Sequence, residues 1–90
     1  MKIVSSNDWY DGIDIVGSQN VLVNNCFIQS KDDCIAIKAG VNYFTKFSSD
    51  MRMDSVVVQN SVFWNGVWGN ALEIGFETRT DTIQNITFRN

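Results

Sequence analysis

What most limits this chain is that it repeats itself. QNVLVNNCFI from Gln19 aligns with DSVVVQNSVF from Asp54 and with QNITFRN from Gln84, at offsets of 35 and 30 residues. The alignment superposes Val21, Val56 and Ile86, and also Asn25, Asn60 and Asn90. A second set lies between these segments. DGIDI from Asp11, DCIAIK from Asp33 and NALEIG from Asn70 bring Ile13-x-Ile15, Ile35-x-Ile37 and Leu72-x-Ile74 into register, at offsets of 22 and 37. In both sets apolar residues alternate, the period of a strand with one face in a core, so an amphipathic helix does not fit. Nineteen valines and isoleucines against two leucines favour strands as well. Each repeat therefore predicts two short strands separated by asparagine and glycine turns. A 22-residue unit of this kind matches one coil of a parallel β-solenoid, and the longer spacing leaves room for an inserted loop from Gly40 to Asp54.

In a solenoid each coil buries its apolar positions against the coils above and below it. The expected architecture is thus all-β, with about three coils in one unit spanning residues 1–90. Asn25, Asn60 and Asn90 are expected to stack as a ladder at the turns, and the ten asparagines of the chain suit turns and left-handed backbone. The pattern starts in mid-repeat and stops on a ladder position without polar caps, so a segment of a longer helix is expected.

Composition excludes several functions. With no histidine, serine–histidine or cysteine–histidine triads and histidine-ligated metals are ruled out. A net charge of −3 without a basic cluster argues against nucleic acid or an anionic membrane surface as partner. The longest apolar runs, such as Cys34 to Ile37, fall far short of the roughly 18 residues that span a bilayer. The N-terminus carries no apolar core of signal-peptide length. Cys26 and Cys34 make neither a disulfide framework nor a metal site and read as two buried small hydrophobes.

Chemistry enters at the residues that precede the second strand set. Asp11, Asp33 and Asn70 occupy one stack position, and Asp32 adjoins Asp33. Stacked strands lie about 4.8 Å apart, so Asp11, Asp32 and Asp33 should converge on one patch. Paired aspartates alone would also suit a turn or a calcium site. The shared register with Asp11 favours chemistry, because two unrelated turns need not share a stack position. Crowded carboxylates cannot all ionise cheaply, which gives a protonated acid beside an ionised base. Glycoside hydrolysis uses such a pair.

DGIDI followed by DDCIAIK, with SQNVLVNNCFI between, resembles glycoside hydrolase family 28, the polygalacturonase family. The resemblance runs from about Ser5 to Asn90. It implies a right-handed parallel β-helix that hydrolyses a polysaccharide with inversion and without an organic cofactor or a metal. The family's Asn-Thr-Asp-Gly motif falls on Trp9-Tyr10-Asp11-Gly12, where only the aspartate and glycine match. Its Asp-Asp motif falls on Asp32-Asp33. Its Gly-His-Gly motif falls on Gly69-Asn70-Ala71, with Asn70 in place of the histidine. The resemblance makes Asp32 the general acid, and Asp11 and Asp33 the groups that hold and deprotonate the attacking water. Inversion calls for carboxyl groups about 6.5–9.5 Å apart. Members of the family are usually secreted or periplasmic and degrade cell-wall polysaccharide.

Around this trio, Asp14, Ala36 and Glu73 alternate with the inward isoleucines and should share the outer strand face. Glu73 is expected to contact sugar hydroxyls or add a carboxylate. Lys38 is expected to bind substrate or lower a neighbouring carboxylate's pKa. Asn70, Trp68, Tyr10 and Trp9 are candidates for the groove rim, whereas Trp64 should pack against the coil edge. Glu77 and Arg79 are weaker groove candidates. Asn85-Ile86-Thr87 fits a glycosylation pattern but falls in a strand, and is read as structural. Two other classes fit less well. A non-catalytic carbohydrate-binding module has no reason to gather unpaired carboxylates, and a lyase on the same architecture needs a calcium site and a basic residue, for which only Lys38 is available.

Overall fold

The computed structural model describes residues 1–39, 52–75, 78, 80 and 82–90. Among the described residues nine short strands follow one another in three sets of three: β1 (Lys2–Val4), β2 (Ile13–Val16), β3 (Gln19–Asn24), β4 (Phe27–Ser30), β5 (Ile35–Lys38), β6 (Met53–Gln59), β7 (Val62–Asn65), β8 (Leu72–Ile74) and β9 (Ile83–Arg89). Each third strand pairs in parallel with its predecessor, giving sheets β1-β4-β7, β2-β5-β8 and β3-β6-β9. Three coils of a parallel β-helix result. No helix of the described residues is long and apolar enough to cross a membrane.

The register follows the sequence repeat. Val21 faces Val56 and Val56 faces Ile86, while Ile13 faces Ile35 and Ile35 faces Leu72. A coil holds three strands rather than two. The unforeseen sheet, β1-β4-β7, begins just after the asparagine turns, so its residues read as a continuation of the strand before. Most of the inserted loop from Gly40 to Asp54 lies outside the described residues, as do Glu77 and Arg79, and β6 already starts at Met53.

Alternation fills the inside of the helix with Ile15, Val23, Ile28, Ile35, Ile37, Met53, Val56 and Val58, all buried. Burying a side chain of this size contributes about 1.5–3 kcal/mol, so the middle coil carries most of the core's stability. Cys34 belongs to this core, but Cys26 is only half-buried; both are free thiols. Among the described residues no buried side-chain nitrogen or oxygen is left unpaired.

The expected asparagine ladder takes another form. Asn25 and Asn60 are the left-handed turn residues, with φ of 55° and 50°. The side-chain bonds between coils run through the row beside them. Gln59 and Asn60 donate to Asn24 Oδ1 at 3.3 and 3.2 Å, and Arg89 Nε donates to Gln59 Oε1 at 2.9 Å. A second left-handed column forms at Asn20, Ser55 and Asn85. Asn85 Nδ2 donates to Asp54 Oδ1 at 2.9 Å, a structural use of the glycosylation-like triplet.

Candidate active site

The segments that lead into β2, β5 and β8 lie one above another and place the acidic residues. Asp11 enters from the first coil, Asp32 and Asp33 from the second, and Gly69 and Asn70 from the third. Gly12 N donates to the carbonyl of Asp33 at 2.8 Å, and Cys34 N to the carbonyl of Asn70 at 2.9 Å, so the ladder reaches past the strands into these turns. A Cβ at Gly12 would collide with the Cys34 carbonyl and the Ile28 side chain, which accounts for glycine after Asp11.

Asp11, Asp32 and Asp33 do converge: one carboxylate oxygen from each lies within 4.8 Å of the other two. Such oxygens could also serve a hard cation. They open on a cleft of about 330 Å³ lined by Trp9, Lys38, Gly69 and Glu73 as well. The spacing corrects one expectation. The closest oxygens sit nearer together than the wide gap associated with inversion, because Asp32 and Asp33 are chain neighbours and the adjacent coil brings Asp11 to about strand-to-strand distance.

Each acid is held differently. Asp33 N donates to Asp11 Oδ1 at 3.1 Å, and Asp33 Oδ1 accepts the backbone N–H of Asn70 at 2.7 Å. Among the described residues no side-chain or backbone donor reaches the Asp32 carboxylate, although its backbone is pinned. The Asp32 carbonyl accepts from Ser30 Oγ at 2.8 Å and from Asn65 Nδ2 at 2.7 Å, and its N–H donates to the Tyr10 carbonyl at 3.3 Å. Asn65 also donates to the Trp68 carbonyl at 2.8 Å, tying the third coil's turn to the second. Asn65 does not stand out in the sequence, and Gly69 enters there only as the first glycine of the Gly69-Asn70-Ala71 motif match.

Electrostatics follow from burial and crowding. Burial, then hydrogen bonding and repulsion from Asp14, push Asp11 up to about 6, and Lys38 counteracts them. Burial also raises Asp33, which is 6% exposed. The Asn70 N–H opposes that rise, while a hydrogen bond with the Glu73 carboxyl and its charge add to it. Lys38 Nζ lies 3.7 Å from Asp11 Oδ2 and 3.4 Å from Asp14 Oδ2.

The remaining candidates divide. Glu73 lines the cleft, and Asn70 does not; its Nδ2 instead donates to Glu73 Oε2 at 2.6 Å. Asp14, Ala36 and Glu73 share a rung column as expected, but Ala36 is fully buried, the smallest residue between two larger ones. Tyr10 is exposed and is not among the cleft-lining residues, to which it lends its backbone carbonyl. Trp9 lines the cleft and stacks on Trp68, with ring centroids 5.4 Å apart and planes at 11°. Trp64 is exposed rather than packed, because Phe63 takes the inward position on β7.

The model of the glycosyl hydrolases family 28 matches residues 2–90. A polygalacturonase from Saccharomyces cerevisiae is 30% identical over 93 residues, an alignment that covers 87% of this chain and 26% of the yeast protein. A probable polygalacturonase from Arabidopsis thaliana is 50% identical over 32 residues, covering 36% of this chain and 7% of the plant protein. This chain therefore spans about a quarter of the length of the yeast relative. No solved structure matches it. The chain belongs to glycosyl hydrolase family 28.

Proposed function

From that membership, we propose that the chain carries the catalytic aspartates of a hydrolase that cleaves a pectic or related polysaccharide. The convergence of Asp11, Asp32 and Asp33 on one cleft is the observation that supports this most. The two polygalacturonase relatives make a pectic substrate the first to try.

Backbone N–H groups favour the anionic form of a carboxylate that accepts from them. Asp11 and Asp33 each accept one, which suits them to hold the attacking water and take its proton. Their raised affinity for a proton makes them stronger bases than an ordinary aspartate. Asp32 is assigned, from the resemblance of the Asp32-Asp33 pair to the family's motif, as the acid that protonates the glycosidic oxygen. Lys38 holds Asp11 and Asp14 together, and Glu73, fixed by Asn70, faces the sugar. Inversion has the water bound against the Asp11–Asp33 side of the cleft instead of in a wide gap between opposed carboxylates.

The test is to assay the full-length protein and its Asp32→Asn variant on pectic, dextran-type and rhamnogalacturonan substrates. The expected result is hydrolysis of a pectic substrate, lost in the variant. The first reducing end released should have the anomeric configuration opposite to that of the cleaved bond. Unchanged activity in Asp32→Asn would remove the acid assignment, and an unsaturated product would indicate a lyase.

A further inference from the structure

The peptide unit between Asp32 and Asp33 is held at both edges. Its N–H donates to Asp11 Oδ1 at 3.1 Å, while its carbonyl accepts from Ser30 Oγ at 2.8 Å and from Asn65 Nδ2 at 2.7 Å. A peptide unit is planar and carries its carbonyl and its N–H on opposite edges, so fixing one edge aims the other. Two donors on one carbonyl oxygen use both of its lone pairs.

The two donors form part of a column. Ser30 and Asn65 end β4 and β7 and face each other in the parallel register, and Ser5 follows β1 at the corresponding place in the first coil. Each of the three closes the turn of its own coil. Ser5 Oγ reaches the Tyr10 carbonyl at 3.5 Å, Ser30 Oγ that of Asp32, and Asn65 Nδ2 that of Trp68 at 2.8 Å. Of these, Asn65 alone also reaches into the neighbouring coil. An amide offers two N–H groups where a hydroxyl has one proton, so asparagine can close its own turn and still serve Asp32. The second donor falls on the turn that brings two acids to the cleft.

Burial firms the grip. Ser30 is 1% exposed, and Cys34 Sγ lies 3.1 Å from its hydroxyl. A hydroxyl so enclosed has no water to turn to if the carbonyl moves away, and such a loss is costly. Hydrogen bonds at a carbonyl also polarise the amide and strengthen donation from its N–H. Asp11 is thus held across a peptide by two side chains that are not among the cleft-lining residues.

We propose that Ser30 and Asn65 are positioning residues of the site: from neighbouring coils they grip one carbonyl and so aim the Asp33 N–H at the Asp11 carboxylate. Their effect on the reaction rests on the hydrolase reading; the grip itself does not.

The grip is read from hydrogen exchange at the Asp33 amide in the full-length protein, isotopically labelled at its aspartate nitrogens, with the signal assigned by its loss in Asp33→Asn. Asn65→Ala and Ser30→Ala should each speed that exchange by roughly three- to tenfold. On the substrate that the wild type hydrolyses, polygalacturonate being tried first, they should lower kcat by a similar factor. KM should stay within about twofold, since neither residue lines the cleft. Gln59→Ala removes another side-chain bond between coils, to Asn24 Oδ1, and should leave both readouts unchanged. Melting temperatures are recorded alongside, and the half-buried Asn65 carries the test by itself if Ser30→Ala does not fold. Asp33 exchange equal to wild type in Asn65→Ala overturns the proposal, while wild-type hydrolysis keeps the hydrolase reading. Faster exchange with unchanged kcat in an active enzyme overturns the positioning role. Faster exchange in a protein that hydrolyses none of the pectic, dextran-type and rhamnogalacturonan substrates upholds the grip and removes the hydrolase reading.

Discussion

The backbone N–H of Asp33 donates to the carboxylate of Asp11 at 3.1 Å, so one acid of the cleft is oriented by the main chain of another. The two lie in neighbouring coils, and the bond extends the β2–β5 ladder beyond Ile13 and Ile35. Local sequence cannot place them together; the coil length does. Asn70 continues the series by donating its N–H to Asp33. An asparagine at Asp33 keeps an oxygen for that bond and loses only the charge and the basicity. Asp33→Asn should therefore fold with a melting temperature close to wild type and lose about 10²–10⁴-fold in kcat. Initial rates and a thermal melt on the same preparation check both halves.

Asp11 makes stability depend on pH in a direction opposite to the usual aspartate. Its folded pKa is raised from 3.8 to about 6, chiefly by burial and then by Asp14. Between those values the folded state binds the proton more readily than the unfolded chain does, so stability increases as pH falls from about 7 towards 4. Asp33, raised for similar reasons, acts in the same sense. Asp54 runs the other way, since its carboxylate accepts from Gln84, Asn85 and Ser55 and its pKa is lowered. Its contribution is lost only below the ordinary aspartate range and leaves the window between 4 and 7 to the cleft. Melts across that window should show the highest melting temperature at its acid end, and Asp11→Asn should flatten the slope.

Lys38 opposes the proton affinity of both Asp11 and Asp33. Replacing it with glutamine removes a positive charge 3.7 Å from Asp11 Oδ2 and leaves an amide of similar reach. If Asp11 and Asp33 take the water's proton as proposed, the acid limb of the pH–rate profile should move to higher pH by about one unit. A profile of kcat/KM from pH 4 to 8 reads the shift. A change in rate without movement of the limb would mean that Lys38 acts on the substrate alone.

Legibility in the sequence followed alternation. The β2-β5-β8 and β3-β6-β9 sheets could be read because Ile13-x-Ile15, Ile35-x-Ile37 and Leu72-x-Ile74, and likewise the segments of Val21, Val56 and Ile86, repeat one pattern at unequal offsets. The meeting of Asp11 with Asp32 and Asp33 came from the same register. The β1-β4-β7 sheet was hidden because a single left-handed asparagine, Asn25 or Asn60, turns the chain without interrupting its β-branched pattern. Asn65 was hidden for another reason. Its side chain reaches the Asp32 carbonyl on another coil, and residue type does not signal that.

Gly69 tests the packing of these turns around the acids. Its φ of 68° is costly for any residue with a side chain, and a Cβ there would press on Asp32 Oδ1, Asp33 Oδ1 and the Asp33 backbone nitrogen. These atoms cannot all retreat, because Asp33 is buried and the same carboxylate accepts the N–H of Asn70. Left-handed backbone costs an alanine about 1–2 kcal/mol, and a methyl group forced into packed surroundings adds about 1–3 kcal/mol. Gly69→Ala should then lose about 2–5 kcal/mol of stability in a denaturant melt. It should also lose activity at temperatures where it remains folded, because the carboxylates it displaces are those proposed to react. Gly66, whose Cβ would sit 3.1 Å from the Ser30 carbonyl and touch none of the three acids, is the comparison. Gly66→Ala should cost less stability and leave kcat within about twofold.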